Sequence, residues 1–287
     1  MAKFVLSAFA DEYSKVLDEQ IEGLKANGIG YMEIRGVDGK NVSDLTEDEM
    51  KAVKAKLDAA GIKVSSIGSP IGKIKVNDEF EPHLAKLANC IKAAKILGTE
   101  NIRIFSFYIP EGMTREECRP EVMRRLKVML DMAKAEGVYL CHENEKGIYG
   151  ESADCCLDIQ NEFNGEIKLI FDPANFIMDG HESYPRAYEM LSDKIWYMHI
   201  KDATAEKCIC PAGCGIGGVP SIISALNKAR DGELILSVEP HLKVFDGLSN
   251  LEVTDDVENA MKVHTYASHA ESFKAAVDAI KAIIANA

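Results

Sequence analysis

Four ionisable residues each stand directly after a short apolar run in the second half of the chain. They are Glu143 in VYLCHENE, Asp172 in KLIFDPAN, His199 in WYMHIKD and Glu239 in LILSVEPH. A buried strand whose end emerges at a pocket has this order. If the four strands converge, three carboxylates crowd together, and like charges raise one another's pKa unless a cation compensates them. A divalent metal ion resolves the conflict. Three carboxylates with one imidazole suit Mn²⁺ or Mg²⁺, with Co²⁺ or Zn²⁺ as alternatives. Taken singly, each residue has a plainer role: a strand-end carboxylate often caps the next helix, and a histidine often serves structure. Recurrence at corresponding positions in successive units favours the metal site.

Neighbouring polar residues extend the candidate site. Lys201 is two past His199, hence on the same side of a strand, where it could hold a substrate oxygen or phosphate or pair with Asp202. His241, two past Glu239, could line the pocket, or Pro240 could make a turn there. Glu33 and Arg35, at the end of YMEIR, could bind polyol hydroxyls or pair with each other. His142 precedes Glu143, so strand alternation points it away from the axis and gives it a structural role. Cys208-Ile-Cys210-Pro-Ala-Gly-Cys214 lacks a C-x₂-C pair and reads as free thiols rather than a metal site. GCGIGGVP (213–220) does not match a P-loop; a flexible lid is preferred to a phosphate site. The stretch 242–267, with Gly247 and Asp255-Asp256, is expected over the mouth of the fold or in a dimer contact.

Elements that could position these residues recur along the chain. Four helix-like segments end in Gly and lead into extended apolar runs, at Gly28, Gly61, Gly98 and Gly137. Leu17, Ile21 and Leu24, and Met50, Val53 and Leu57, mark amphipathic stripes. Thr46-x-x-Glu49, Thr114-x-x-Glu117 and Ser268-x-x-Glu271 are capping-box patterns. Phe273, Val277, Ile280 and Ile284 would seal the last helix onto a core. The extended runs are FVLSAF, YMEI, KVSSI, IRIF, VYLCH, KLIFD, WYMHI and LILSV, at a mean spacing of about 33 residues. Eight βα units predict an α/β fold, a single (β/α)₈ TIM barrel over 1–287 with no internal domain boundary. The alternative, an open doubly wound sheet, lacks its G-x-G-x-x-G after the first strand. In a barrel, all four ionisable residues fall at the carboxyl ends of strands, where such folds place their chemistry.

The segments SAFADE, EIRG, HENE, FDPAN, HIKD and SVEPHL together resemble the sugar phosphate isomerase/epimerase superfamily of xylose isomerase-like barrels, over nearly the whole chain. Its relatives include ketose 3-epimerases, hydroxypyruvate isomerases, inosose dehydratases and type IV AP endonucleases. The resemblance implies that Glu143, Asp172, His199 and Glu239 hold one metal ion and that Glu143 and Glu239 form the acid/base pair. Asn175, which stands where the epimerases often carry His, joins Lys201, His241, Glu33 and Arg35 as a candidate for substrate contact; those four rest on their strand positions. The expected chemistry is isomerisation or epimerisation of a sugar, sugar phosphate or related polyol through an enediolate. A dehydratase on the same site and a sugar- or partner-binding barrel without turnover are the alternatives. Relatives are commonly dimers or tetramers, so a homodimer or homotetramer is expected.

Composition bounds the partners. The net charge is −13, from 33 basic and 46 acidic residues, which repels phosphodiester backbones and anionic lipid. No nucleic-acid or membrane partner is expected. Seven histidines, scattered along the chain, also fit poorly with the trinuclear site of AP endonucleases. The amino-terminal apolar run is too short for a secretory signal, and eight cysteines are too sparse for a disulfide scaffold. Both point to a reduced, cytoplasmic protein.

Overall fold

A computed structural model describes residues 1–243 and 266–287. Eight strands form a closed barrel: β1 (Ala2–Ala8), β2 (Tyr31–Ile34), β3 (Lys63–Ile67), β4 (Asn101–Ile104), β5 (Tyr139–Glu143), β6 (Lys168–Phe171), β7 (Ile195–Ile200) and β8 (Gly232–Val238). Neighbouring strands run parallel in chain order. The last closes on the first, with Ala2 opposite Gly232 and Ala8 opposite Val238. The architecture is the (β/α)₈ barrel, and closure excludes the open sheet.

The main helices outside the barrel are α1 (Leu17–Ala26), α2 (Glu47–Ala60), α3 (Glu81–Leu97), α4 (Arg115–Ala135), α5 (Ala153–Glu162), α6 (Pro173–Met178), α7 (Val219–Ala229) and α8 (His269–Ala285). The stripes of α1 and α2 are buried as the spacing predicts. Thr46 and Thr114 complete reciprocal capping boxes ahead of α2 and α4. Ser268 caps α8 by accepting from the Glu271 N–H, but the Glu271 carboxylate accepts from Ala267, one residue earlier than a capping box requires. Phe273, Val277 and Ile280 of α8 are buried, each contributing about 1.5–3 kcal/mol; Ile284 is only partly covered. Gly61 and Gly98 end α2 and α3 in the left-handed conformation, with φ of 73° and 80°, where a side chain would be strained.

Side chains divide by strand alternation. On β7, Met198 and Ile200 join the large core between barrel and helices, whereas Tyr197 belongs to a separate cluster with Cys141 and Ile170, packed by Ile235. Two register shifts interrupt the alternation. Met32 pairs Val64 but Glu33 pairs Ser66, and Leu169 pairs Ile195 but Ile170 pairs Tyr197. Such bulges re-aim side chains.

No helix among the described residues is long and apolar enough to cross a membrane. The expected closing stretch 242–267, with Gly247, Asp255 and Asp256, lies for the most part outside the described residues.

Candidate metal centre

Glu143 ends β5, Asp172 follows β6, His199 lies in β7 and Glu239 follows β8. One ligand atom from each lies within 4.8 Å of the other three, and all four residues are buried. The structure therefore brings together the four residues that the sequence singled out. Asp172 also fulfils the plainer role: its Oδ1 accepts from the Asn175 N–H at 3.0 Å and caps α6. Its Oδ2 is buried without a hydrogen-bond donor, though it ion-pairs with Lys201 Nζ at 3.1 Å. Asn144 ties the ends of β5 and β6 together, its amide exchanging bonds of 2.9 and 3.0 Å with the Asp172 backbone.

Three cations enclose the acidic group. Lys201 Nζ donates to Glu239 Oε2 at 2.8 Å, so it faces the centre as the strand spacing predicts. It does not turn towards Asp202. Arg35 donates to both oxygens of Asp11, at 2.8 and 3.0 Å, to Glu12 Oε1 at 3.1 Å and to Glu239 Oε1 at 2.9 Å. Arg103, from the interior of β4, donates to Glu143 Oε2 at 3.1 Å and to the carbonyls of Ser69 and Gly68, both at 3.3 Å. Phe9 lies against both guanidiniums, at 4.4 Å from Arg35 and 5.0 Å from Arg103, and meets His199 edge-on at 5.1 Å.

Glu33 contacts two side chains of β7. It is fully buried, with Oε1 accepting from Tyr197 Oη at 2.9 Å and Oε2 3.2 Å from His199 Nε2. It thus stands against His199, one of the four metal-ligand candidates. Asn175 Nδ2 donates to Glu143 Oε1 at 3.2 Å and to the Asn144 carbonyl at 2.8 Å. His241 follows Glu239 and Pro240 in a turn. Its φ is 43°, a turn conformation, and its Nε2 lies 3.6 Å from Glu239 Oε1. Its backbone N–H donates to Glu12 Oε2 at 2.6 Å.

Burial raises Asp172 to about 7, with Glu143 and Glu239 adding to the shift against the pull of Lys201. Burial raises Glu12 to about 8 despite Arg35. Burial alone would lower His199, but the Glu143 and Glu33 carboxylates push it up to about 10. Burial opposes ionisation of Glu143 and Glu239 too, yet the cations around them hold both below the usual carboxylate range.

The donor set fits a divalent ion. Three buried carboxylates and one imidazole, each from a different strand end, offer oxygen donors with one nitrogen, and carboxylates held this close favour a divalent cation between them. The unsatisfied Oδ2 of Asp172 points to the same need.

Arg103, Tyr197, Glu12, Asp11 and Phe9 escaped the sequence reading. A lone charge inside the apolar run IRIF was the available signal for Arg103. His142 turns outward as alternation requires, with Nε2 2.9 Å from Ser106 Oγ. The glycine-rich loop is bonded to Asp202. Asp202 accepts from the N–H groups of Ala203, Gly213, Gly215 and Gly217 at 2.9, 3.0, 3.2 and 2.8 Å. Its carboxylate takes the N–H groups that an anion would need and ties the loop to the end of β7. All eight cysteines, including Cys208, Cys210 and Cys214, are free thiols.

Residues 21–280 match the family described as the xylose isomerase-like TIM barrel. Sequence comparison with curated proteins finds no match. Among solved structures, the IOLI protein with a zinc atom superposes with a TM-score of 0.73 at 17% identity, covering 98% of each chain. The D-allulose 3-epimerase of Methylomonas sp. does so with a TM-score of 0.72 at 17% identity, covering 99% of this chain and 100% of that one. The probable 3-DHS dehydratase AsbF of Bacillus anthracis gives 0.68 at 15% identity, covering 92% and 98%. At these identities the likeness is one of fold.

Proposed function

The chain belongs to the xylose isomerase-like TIM barrel family, and from that premise we propose a divalent-metal-dependent isomerase or epimerase of a sugar, sugar phosphate or related polyol, acting as one barrel domain over 1–287. The observation that carries this reading is the buried convergence of Glu143, Asp172, His199 and Glu239 within 4.8 Å. These four residues would hold a divalent ion, Mn²⁺ or Mg²⁺ before Co²⁺ or Zn²⁺, which when bound supplies Lewis-acid stabilisation of charge developing on substrate oxygen.

Glu143 and Glu239 are the proton-transfer pair. Each carboxylate is held at both oxygens by donors: Glu143 by Asn175 at 3.2 Å and Arg103 at 3.1 Å, Glu239 by Arg35 at 2.9 Å and Lys201 at 2.8 Å. Fixed orientation aims each at a substrate carbon, and the surrounding cations keep both ionised and able to accept a proton. One removes the proton from the carbon beside the substrate carbonyl, leaving an enediolate. A proton then returns to the neighbouring carbon, giving the isomer, or to the opposite face of the same carbon, giving the epimer. Lys201, His241 and Asn175, at the rim of this pair, would orient substrate oxygens.

Deuterium wash-in tests the reading. A panel of ketoses, sugar phosphates and inososes is incubated in D₂O with Mn²⁺ and followed by NMR and mass spectrometry. Exchange at the carbon beside the carbonyl without loss of water is expected. Exchange accompanied by loss of water would identify a dehydratase, a reading supported by the likeness to the probable 3-DHS dehydratase. No exchange with any compound would leave a binding barrel.

A further inference from the structure

Both ring nitrogens of His199 are engaged, and by different kinds of partner. Nδ1 faces the metal-binding group, 2.8 Å from Glu143 Oε1 and 3.6 Å from Glu239 Oε2. Nε2 faces the other way, 3.2 Å from Glu33 Oε2 at the barrel axis. A neutral imidazole carries one proton, and only the nitrogen without it can ligate. Glu33 is itself held: Oε1 accepts from Tyr197 Oη at 2.9 Å, and that hydroxyl lies 3.1 Å from Ser66 Oγ.

Two backbone irregularities build this support. The bulge between β2 and β3 sets Ser66 opposite Glu33, and the bulge between β6 and β7 sets Tyr197 opposite Ile170. Ser66 and Tyr197 are the residues that follow the two interruptions, and they meet each other inside the barrel. Bulges near a site that re-aim side chains are features of function rather than defects.

We propose that Glu33 is a positioning residue for the metal centre: it keeps the proton of His199 on Nε2, so that the Nδ1 lone pair is presented towards Glu143, Asp172 and Glu239. An outer carboxylate on a ligating histidine fixes its tautomer and ring plane, and loss of such a partner costs about 10–100-fold in metal affinity. The inference rests on the metal-binding part of the proposed function, not on the identity of the reaction.

Calorimetric titration of metal-free protein with Mn²⁺ tests it in the wild type, Glu33→Ala and Glu33→Gln. Glu33→Ala should bind about 10–100-fold more weakly. Glu33→Gln should recover most of that loss, because its amide oxygen still accepts from Nε2–H while its N–H₂ turns towards Tyr197 Oη. Glu33→Ala within twofold of wild type overturns the proposal, as does Glu33→Gln as weak as Glu33→Ala. Ring-¹⁵N spectra of the Zn²⁺-loaded wild type give a second readout independent of any variant's folding. A proton on Nε2 of His199 is expected, and a proton on Nδ1 overturns the assignment. Wild-type protein that takes up no Mn²⁺ overturns both the metal centre and this role. Protein that binds Mn²⁺ as described but exchanges no substrate deuterium overturns the isomerase reading alone.

Discussion

The ammonium of Lys201 lies 2.8 Å from Glu239 Oε2, buried beside two of the four proposed ligands, since Asp172 Oδ2 is 3.1 Å away on its other side. A cation built into the chain therefore offsets part of the acidic cluster in the absence of metal. Removing one partner of a buried ion pair typically costs about 3–5 kcal/mol. Lys201→Met should lose stability of that order in urea denaturation with EDTA present. Mn²⁺ should narrow the gap to wild type, because without the ammonium the acidic cluster binds the cation more tightly, and tighter binding stabilises the folded state more. A gap of equal size with and without Mn²⁺ would show that the ammonium does not serve the acidic cluster.

Glu143→Gln and Glu239→Gln should each lower kcat by at least about 10²-fold on whichever substrate the wash-in identifies, since positioned acid/base groups typically supply about 10²–10⁴-fold. Circular dichroism should be unchanged, as the amide preserves the shape of the carboxylate. Turnover at the wild-type rate by either variant would remove that residue from the proton-transfer pair.

The loop after β7 should tolerate no side chain at Gly215. A Cβ there would meet the Ala203 carbonyl oxygen at 2.2 Å, a backbone atom that cannot step aside cheaply. Gly215→Ala should cost roughly 1–3 kcal/mol, as overpacking does. Asp202→Ala should cost at least about 1–3 kcal/mol by leaving inward-facing N–H groups without their acceptor. Gly30→Ala is the control: nothing lies within 4 Å of its added Cβ, so a change within about 0.5 kcal/mol is expected. Denaturant midpoints compare the three, and a Gly215→Ala midpoint equal to that of Gly30→Ala would contradict the clamp.

Acid should weaken the fold through His83. Its Nε2 accepts from the Gly72 N–H at 2.7 Å, and burial, with Lys86 and Arg125 nearby, lowers its pKa to about 4. The unfolded chain takes the proton near pH 6.5 and the folded chain only near 4, so the unfolded state binds more protons between them. Stability should therefore fall as pH drops through that window, by up to roughly 3 kcal/mol from this group, and level off below it. His83→Gln should flatten that part of the profile. An unchanged slope in the variant would assign the acid sensitivity elsewhere.

The barrel was legible because its punctuation is local. Gly28, Gly61, Gly98 and Gly137 all take positive φ, and the apolar runs after them are the strands β2 to β5. The ligand candidates were legible because each stands where an apolar run stops. Their supporting residues were not. Arg103 sits inside β4 with Ile102 and Ile104 beside it, and in one strand such a charge reads as solvent-facing. Only closure of the sheet puts that side inside. Adjacency in sequence suggests Asp202 as a partner for Lys201, but neighbouring residues on a strand face opposite sides. Lys201 turns to the axis and Asp202 to the loop. The interrupted register at Glu33 and Ser66 leaves no trace in composition or period, so the support beneath His199 was invisible until the strands were paired.

Along β7 the side chains alternate, Met198 and Ile200 outward into the helices, Tyr197 and His199 inward to the axis. Shape and reactivity are thus inscribed on opposite sides of the same few peptides. Selection can act on one side at a time: exchanges of similar volume on the outward side leave the reaction alone, and changes on the inward side can alter the reaction while the wall still stands. A lineage built this way can keep its architecture through a change of trade.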